Sequence, residues 1–245
     1  MSEAPRVAIV TGGARRIGAA IAGRLARSGY AVLVHHRDSA AQARALCAGL
    51  GRAAAVAGDL ADPDSAGRIL AAAAALGTPS LLVNNASLFA SDDLATLEPE
   101  AFDRTMAVNL RAPLLLCQAF VRAAGGDDPS IVNIVDHRVW KLTPQHLSYT
   151  ISKAALWTAT TTLAQALAPR IRVNAVGPGP TVPNPVDGEA GLRREAGGTP
   201  LGRAVRLDEI ADAVAYLAGA RAVTGQMIAV DSGQHIGWRT PDIVD

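Results

Sequence analysis

Short apolar runs that alternate with longer segments of helical spacing constrain the fold of this 245-residue chain more than any other feature. The short runs carry Val, Ile, Leu and Ala at consecutive positions rather than at every second position. Such continuous runs are typical of parallel strands that helices cover on both faces. Strands and helices in alternation, joined by right-handed crossovers, predict an α/β protein with one doubly wound parallel sheet.

The pattern predicts seven strands and six helical segments, one of them in two pieces. The predicted strands are Arg6–Thr11, Ala31–His35, Ala53–Ala57, Ser80–Val83, Ser130–Val135, Arg170–Val176 and Gln226–Val230. The predicted helical segments are Ile17–Ser28, Ser39–Leu50, Pro63–Leu76, Pro99–Gly125 (the one in two pieces), Tyr149–Ala168 and Leu207–Ala218.

Composition narrows the class of protein. Apolar residues make up 49% of the chain and charged residues 18%, which permits a large core and excludes wholesale disorder. The net charge of +1 argues against a nucleic-acid or membrane-surface partner, and we expect a small-molecule substrate instead. The chain has no stretch of 18 apolar residues free of Gly, Pro and charge, so no membrane-spanning segment is predicted.

The chain shows no linker, low-complexity tract or internal repeat, so residues 1–245 are expected to form a single domain. Residues 177–200 break the alternation with many Pro and Gly residues, and we expect a substrate loop there. The N-terminus has no basic-then-apolar leader, and Cys47 and Cys117 are expected as free thiols of a cytoplasmic protein, with a disulfide as the weaker alternative. His35 and His36 lack a third ligand, so no metal site is predicted.

A glycine-rich turn follows the first strand and opens the first helix. Gly12 permits a tight turn, Gly13 lets the backbone approach a pyrophosphate, and Gly18 allows close packing of helix on strand. The free N–H groups of the helix N-terminus then face the phosphates. The alternative is a glycine-rich turn without a ligand. The residues predicted to bind the cofactor here are Gly12, Arg15, Arg16, Ile17 and Gly18.

The end of the second strand indicates which dinucleotide binds. Sites for NAD place an acid there to hold the ribose 2′-hydroxyl, whereas sites for NADP place basic groups there. This chain has His36 and Arg37, with Arg15 available from the first turn, and a guanidinium matches a phosphate in bidentate geometry. The cofactor prediction is therefore NADPH. The alternative is that Arg37 is solvated and Asp38 holds the ribose. In the NADPH interpretation, Asp38 is instead expected to cap the next helix.

Polar residues also follow the third and fourth strands. An Asp at such a strand end can accept from an adenine amino group, and an Asn can satisfy backbone groups near a cofactor. Ordinary turn chemistry is the alternative for each. The predicted cofactor-binding residues here are Asp59, Leu60, Asn85, Ala86 and Ser87.

Tyr149 and Lys153 are four residues apart and share one helix face. Lowering a phenol pKa from about 10 to about 7 takes roughly 4 kcal/mol, which an ammonium at ~4 Å supplies in an effective dielectric of ~20. The chain has 21 Arg but only two Lys, so a Lys at this position carries weight. The pair predicts a phenol that exchanges protons at neutral pH, against the alternative of an ordinary helical Tyr beside an exposed Lys.

These motifs, in this order, resemble the short-chain dehydrogenase/reductase family. They are the glycine turn, Asn84–Asn85–Ala86, a lone Asn109, the Tyr149–Lys153 pair and the run Val173–Gly179, and the resemblance extends from Val7 to about Gly233. It implies a single Rossmann-type, three-layer domain with a seven-stranded parallel sheet, and a homotetramer.

The resemblance also implies roles for particular residues. Tyr149 is implied as the catalytic proton donor, Lys153 as the group that holds the nicotinamide ribose and lowers the tyrosine pKa, and Asn109 as the holder of a proton-relay water. The residues implied at the nicotinamide end are Pro178, Gly179 and Thr181.

Two departures from the common family pattern resemble the pteridine-reductase branch, which includes dihydromonapterin and dihydrofolate reductases. Arg16 replaces the middle glycine of the turn, and Asp136 replaces a serine thirteen residues before Tyr149. In that branch the Arg contacts cofactor phosphate and pterin, the Asp joins the Tyr in delivering a proton, and an aromatic at the position of Phe89 stacks on the pterin. The alternatives are a solvated Arg16, a structural ion pair of Asp136 with Arg138, and a Phe89 that only packs.

The resulting prediction is an NADPH-dependent reductase of a pterin C=N bond. Reduction of that bond needs a proton on nitrogen, which a carboxyl group can supply if burial raises its pKa. Two alternatives remain open: a carbonyl or 3-oxoacyl reductase in which Asp136 is incidental, and a dinucleotide-binding protein without catalytic activity.

Overall fold

A computed structural model describes residues 4–89, 91–183 and 188–238, and it contains one seven-stranded, fully parallel sheet. The strand order is β3-β2-β1-β4-β5-β6-β7, which is the doubly wound order predicted from the alternation. The strands are β1 (Arg6–Val10), β2 (Ala31–His36), β3 (Ala53–Ala57), β4 (Thr78–Asn84), β5 (Ser130–Ile134), β6 (Arg172–Pro178) and β7 (Met227–Val230).

In the described part of the chain, eight α-helices connect the strands, with three short helical segments of other pitch. The helices are α1 (Arg16–Arg27), α2 (Ala40–Gly49), α3 (Ser65–Leu76), α4 (Pro99–Met106), α5 (Ala112–Ala123), α6 (Leu147–Leu167), α7 (Gly188–Gly197) and α8 (Leu207–Gly219). The other segments are a π-helical turn (Ala107–Arg111) and 3₁₀ turns at His137–Val139 and Gln234–Ile236.

The predicted pairing of helices in 99–125 is confirmed, and the π-helical turn joins the two. The predicted substrate loop over 177–200 contains regular secondary structure in two places, and its contact with a substrate stays a prediction. Strand β6 continues to Pro178, and α7 forms within the segment despite its glycines. Residues 184–187 of that segment lie outside the described residues.

Two hydrophobic clusters lie on opposite faces of the sheet, as the continuous apolar strands require. One cluster packs α1 and α8 on the sheet through side chains such as Leu25 and Val214. The other packs α3 and α5 on the opposite face through Ile69 and Phe120. No helix in the described part of the chain is long and apolar enough to cross a membrane.

The strand order reverses between β1 and β4, because β2 continues the sheet on one side of β1 and β4 begins the other half. The crossovers on the two sides leave a crevice outside the carboxyl ends of these strands, where open α/β sheets bind ligands. The fold therefore places the ends of β1, β2, β4 and β5 around one crevice.

A buried arginine ties the start of β6 to the end of α8. Arg172 forms a bidentate ion pair with Asp128, with distances of 2.8 and 3.0 Å, and its guanidinium also donates to the carbonyl oxygens of Leu217 and Ala218 at 2.8 and 2.9 Å. The guanidinium thereby satisfies carbonyls at the C-terminal end of α8 that have no helical partner.

Arg172→Ala is expected to lower the free energy of unfolding by about 3 kcal/mol, because it leaves a partly buried carboxylate and two helix carbonyls without their partner. Urea unfolding at fixed protein concentration measures the change. Arg170→Ala is the matched control, since exposed Arg170 donates to a single carbonyl, and it should cost less than about 1 kcal/mol. Equal losses in the two variants would contradict this account of Arg172.

Candidate functional site

A cleft of about 540 Å³ opens at the carboxyl edge of the sheet, over the point where the strand order reverses. It brings together every residue predicted for the site except Asn109, which lies buried beside it. Among the residues that the structure describes, no three His, Cys, Asp or Glu side chains group as metal ligands, and Cys47 and Cys117 are free thiols. The predicted residues that line the cleft are Gly12, Arg15, Arg16, Ile17, Gly18, His36, Arg37, Asp59, Leu60, Asn85, Ala86, Ser87, Phe89, Asp136, Tyr149, Lys153, Pro178, Gly179 and Thr181.

The glycine turn is held in a conformation that only small residues allow. Gly12 has a φ of +60°, in the left-handed region, and a Cβ on Gly18 would lie 2.2 Å from the Gly12 carbonyl oxygen. Asn85 fastens the turn to the end of β4, since its side-chain amide donates to the carbonyl oxygens of Thr11 and Gly12 at 2.8 and 3.2 Å. The predicted roles of Gly12 and Gly18 in shaping the turn thus have a steric basis.

His35 is a contact of this turn that the sequence analysis did not identify. Its Nδ1 accepts from the Gly12 N–H at 3.2 Å, and its Nε2 faces the Gly58 carbonyl oxygen at 3.0 Å. Burial lowers the pKa of His35, which keeps the ring neutral as this pair of bonds requires. The ring therefore ties the glycine turn to the end of β3.

Basic groups surround the end of the cleft next to β2. No side chain caps the N-terminus of α1, so its positive end is left for an anion. Arg37 and His36 line the cleft, and Asp38 pairs with Arg37 at 2.5 Å rather than capping α2, whose N-cap residue is Ser39. The helix cap expected of Asp38 is therefore absent, because its carboxylate pairs with Arg37 instead.

The carboxylate of Asp59 is bound within the protein. It accepts from the Ala61 N–H at 2.9 Å and from Arg104 at 2.8 Å, and the hydrogen bond from Arg104 lowers the pKa of Asp59. A contact of Asp59 with adenine stays a prediction.

The Tyr149 hydroxyl donates to the Asp136 carboxylate at 2.9 Å, and both groups are buried at the base of the cleft. Asp136 also accepts from the Arg138 N–H at 2.9 Å, and the Arg138 guanidinium lies 3.4 Å from each carboxylate oxygen. The Nδ1 atom of His137 lies 3.1 Å from Asp136 Oδ1. The carboxylate is thus surrounded by donors.

These donors correct the expectation that burial raises the pKa of Asp136. Burial acts in that direction, but the hydrogen bond from His137 and the charge of Arg138 outweigh it and lower the pKa of Asp136 to about 2. The expectation that Lys153 lowers the pKa of Tyr149 is also wrong in this structure. Burial, followed by the charge of Asp136, raises the pKa of Tyr149 well above its ordinary value. The pair is therefore an ionised carboxylate and a neutral phenol.

Lys153 lies below the Tyr149 ring, with Nζ 5.6 Å from the ring centroid and 2.8 Å from the Ile134 carbonyl oxygen. Burial lowers the pKa of Lys153 to about 8. The ammonium is held by the end of β5, and its predicted contact with a ribose stays a prediction.

The Asn109 side chain joins the strand β4 loop to α6. Its amide group donates to the Leu88 carbonyl oxygen at 2.9 Å and to Ser152 Oγ at 3.0 Å, while its Oδ1 accepts from the Leu88 N–H at 2.8 Å. Both amide hydrogens are therefore occupied, and the side chain is a structural clamp. Its predicted role in holding a relay water stays a prediction.

Phe89 and Arg16 line the same cleft as Arg37. The Phe89 ring centroid lies 4.9 Å from that of Tyr149 and 4.4 Å from that of His146. Arg16, in the left-handed region with a φ of 52°, donates to the Pro183 carbonyl oxygen at 2.7 Å. Arg16 therefore contacts the segment that follows β6 across the cleft.

Comparisons with known proteins find one matching family and several relatives similar over nearly the whole chain. The sequence profile of the family described as Enoyl-(Acyl carrier protein) reductase matches residues 12–235. An uncharacterized oxidoreductase from Methylorubrum extorquens is 39% identical, over 93% of this chain and 97% of the relative. Dihydromonapterin reductase from Klebsiella pneumoniae is 31% identical, over 95% of this chain and 98% of the relative.

A solved structure of a similar protein has the same fold. The crystal structure of alternative dihydrofolate reductase 1 (FolM) from Brucella canis, complexed with NADP, superposes with a TM-score of 0.92 at 45% identity, and the match covers 97% of each chain.

The pKa of Lys153 predicts a pH dependence of stability. Because the folded pKa of about 8 lies below the ordinary value of about 10.5, the unfolded chain binds more protons at this residue between pH 8 and 10. The free energy of unfolding should therefore rise with pH in this window, by about 2 kcal/mol relative to Lys153→Met. Urea unfolding of both proteins at pH 8, 9 and 10 measures the difference.

The thiols of Cys47 and Cys117, whose pKa values burial raises, give an opposite slope that both proteins share. The contribution of the two thiols therefore cancels when the free energy of unfolding of Lys153→Met is subtracted from that of the wild type. A constant difference between the two proteins from pH 8 to 10 would show that the Lys153 pKa is not lowered.

Proposed function

The chain belongs to the short-chain dehydrogenase/reductase family, and from that membership we propose that it is an NADPH-dependent reductase of a pterin C=N bond. Dihydromonapterin, dihydrofolate or a related pteridine is the proposed substrate class. The observation that carries the proposal is the buried Asp136 carboxylate, 2.9 Å from the Tyr149 hydroxyl at the base of the cleft.

The residues at one end of the cleft fit NADPH. A Cβ on Gly12 would lie 3.0 Å from the Ala86 Cα and a Cβ on Gly18 would lie 2.2 Å from the Gly12 carbonyl oxygen, so glycine at these positions lets the turn pack tightly at the edge of the cleft. The uncapped N-terminus of α1 would hold the pyrophosphate, and Arg15, His36 and Arg37 would hold the 2′-phosphate. NADPH, when bound, supplies the hydride.

The sign of the charge on Asp136 favours a C=N bond over a C=O bond. Protonation of a ring nitrogen creates an iminium cation, and an ionised carboxylate nearby stabilises that positive charge. Hydride transfer to a carbonyl builds negative charge on oxygen, which the same carboxylate would destabilise. Tyr149 carries the proton at neutral pH and gives it to the substrate nitrogen, while Asp136 stabilises the charge that forms there.

The open end of the cleft has the groups that a flat heteroaromatic ring needs. Phe89 offers an aromatic face that is 37% exposed. Arg138, Glu195 and Val182 line the cleft beside it, so polar and apolar contacts are both available. A homotetramer and a cytoplasmic location stay predictions.

A carbonyl or 3-oxoacyl reductase is the second candidate. It is favoured by the contact of Arg138 with Asp136, which has the character of a structural ion pair. In this case Asp136 would stabilise the turn at His137–Val139 and take no part in the reaction.

Asp136→Asn is expected to lower kcat for dihydropterin reduction about a hundredfold, because the amide keeps an acceptor for Tyr149 but carries no charge. The KM for NADPH should change little. NADPH oxidation with dihydromonapterin, dihydrofolate and a panel of simple ketones and 3-oxoacyl thioesters measures both effects. Faster turnover of ketones than of dihydropterins, together with full activity of Asp136→Ser, would establish the second candidate instead.

Arg37→Ala is expected to raise the KM for NADPH at least about tenfold while leaving the KM for NADH unchanged, since a lost charge-assisted phosphate contact is worth about 1.4 kcal/mol or more. Arg44→Ala is the matched control, because Arg44 is exposed on α2 and does not line the cleft. An equal effect on both cofactors would place the 2′-phosphate elsewhere.

A further inference from the structure

Asp92, on the loop after β4, holds the first turn of α6 through contacts that the proposed chemistry does not yet use. Its backbone carbonyl oxygen accepts from the Leu147 N–H at 3.0 Å, and its Oδ1 accepts from the Ser148 N–H at 3.1 Å. The Ser148 hydroxyl donates to the other carboxylate oxygen. Ser148 is fully buried, so water does not compete for these bonds. One residue thus satisfies three donors at the start of α6.

Helix α6 has no side-chain cap of its own that could replace Asp92. Its N-cap residue is His146, whose φ of 55° lies in the left-handed region and whose side chain makes no capping hydrogen bond. An ordinary N-cap has an extended backbone and accepts from the nearby N–H groups with its own side chain. The first N–H groups of a helix have no helical partner, so Asp92 supplies the missing acceptors from another part of the chain. Its negative charge also suits the positive end of the helix.

The same contacts bear on the catalytic residue and on the aromatic ring beside it. Tyr149 lies in the first turn of α6, next to the residues that Asp92 holds. The loop that carries Asp92 also carries Phe89, whose ring centroid lies 4.9 Å from that of Tyr149. Asn109 holds this loop at Leu88, where it bonds both the N–H and the carbonyl oxygen, and it also bonds α6. In the chain, Phe89 therefore lies between two points of attachment to α6.

The neighbouring Asp93 has a different set of partners. Its Oδ1 accepts from the N–H groups of Ala95 and Thr96 and from the Thr96 hydroxyl, each at 2.9 Å. None of the bonds that the structure describes for Asp93 reaches α6. Asp93 therefore shapes its own turn, and it provides a control of the same residue type at the adjacent position.

We propose that Asp92 is a positioning residue for the reaction. By fastening its loop to the first turn of α6, it fixes the Phe89 ring against Tyr149. It thereby sets where a heteroaromatic ring stacked on Phe89 meets the hydroxyl that gives the proton. Asp92 does not itself line the cleft, so it acts through Phe89 and not on the reacting atoms. This inference deepens the proposed function and rests on it.

The first test compares three variants. Asp92→Ala removes both carboxylate acceptors, and we expect kcat/KM for dihydropterin reduction to fall at least about tenfold, with the KM for NADPH unchanged. Asp92→Asn keeps an acceptor for the Ser148 N–H and gains an amide that can donate to Ser148 Oγ, so it should stay within about threefold of the wild type. Asp93→Ala should match the wild type. Wild-type kinetics in Asp92→Ala would overturn the proposal.

A double-mutant cycle with Phe89→Ala tests whether Asp92 acts through Phe89. If it does, Asp92→Ala should lower kcat/KM by at most about twofold once the ring is gone, against about tenfold in its presence. A tenfold loss in both backgrounds would overturn the proposal, because Asp92 would then act on the helix alone. If Asp92→Ala does not fold, Ser148→Ala removes only the hydroxyl bond and takes its place in the cycle.

A second measurement needs no substrate. The chain has three Phe residues, so labelling with fluorophenylalanine gives three fluorine-19 signals, and the one lost in Phe89→Leu belongs to Phe89. The rings of Tyr149 and His146 lie close enough to influence that signal. It should move in Asp92→Ala and stay in place in Asp92→Asn and Asp93→Ala. An unmoved signal in Asp92→Ala would also overturn the proposal.

The two proposals fail in different ways. If the wild-type protein reduces a ketone but no dihydropterin, the proposed function fails, and the fluorine signal still decides whether Asp92 holds Phe89. If dihydropterins are reduced and Asp92→Ala matches the wild type in rate and in signal, only the positioning role fails.

Discussion

The parallel arrangement of the sheet is the constraint on which the site depends, because parallel strands all end at the same edge. The end of β1 carries the glycine turn, the end of β4 carries Asn85, and the chain beyond β5 carries Asp136. Hydrogen bonds across that edge then hold these ends together. Thr11 Oγ1 accepts from the N–H groups of Asn85 and Ala86 at 2.9 and 3.0 Å, so the loops after β1 and β4 are joined directly.

A buried charge is the second organising feature, and it explains why so many donors converge after β5. An ionised carboxylate in the interior is stable only when it is paired and hydrogen-bonded. Asp136 meets this requirement with the Arg138 backbone and guanidinium, His137 and Tyr149. The turn at His137–Val139 is therefore built around Asp136, whose side chain also caps it.

Much of the fold could be predicted because its signals are local. Strand β3 has the predicted bounds, and the glycine turn follows from residues adjacent in sequence. Helix α7 was missed because three of its ten residues are Gly, which gives a weak helical pattern. The family and its pteridine-reductase-like branch, predicted from motifs, are confirmed by the comparisons.

The electrostatics of the site could not be predicted in the same way. The spacing of Tyr149 and Lys153 shows that they share a helix face, but not that Asp136 lies closer to the phenol and dominates its pKa. His35 and His137 were missed as site residues because their partners are 23 and 41 residues away in the chain. The one local signal for His137 is its position directly after Asp136.

The corrected charge of Asp136 changes the reason for the proposed chemistry and makes it more specific. A neutral carboxyl would be a general acid for any acceptor, oxygen or nitrogen. An ionised carboxylate instead favours substrates that become positive on protonation, and a phenol of raised pKa needs an acceptor more basic than a carbonyl oxygen. A dihydropterin ring nitrogen meets both conditions, since it is more basic than a carbonyl oxygen and becomes a cation when protonated. Under the proposed function, the donors that hold Asp136 ionised are thus the groups that favour reduction of a C=N bond.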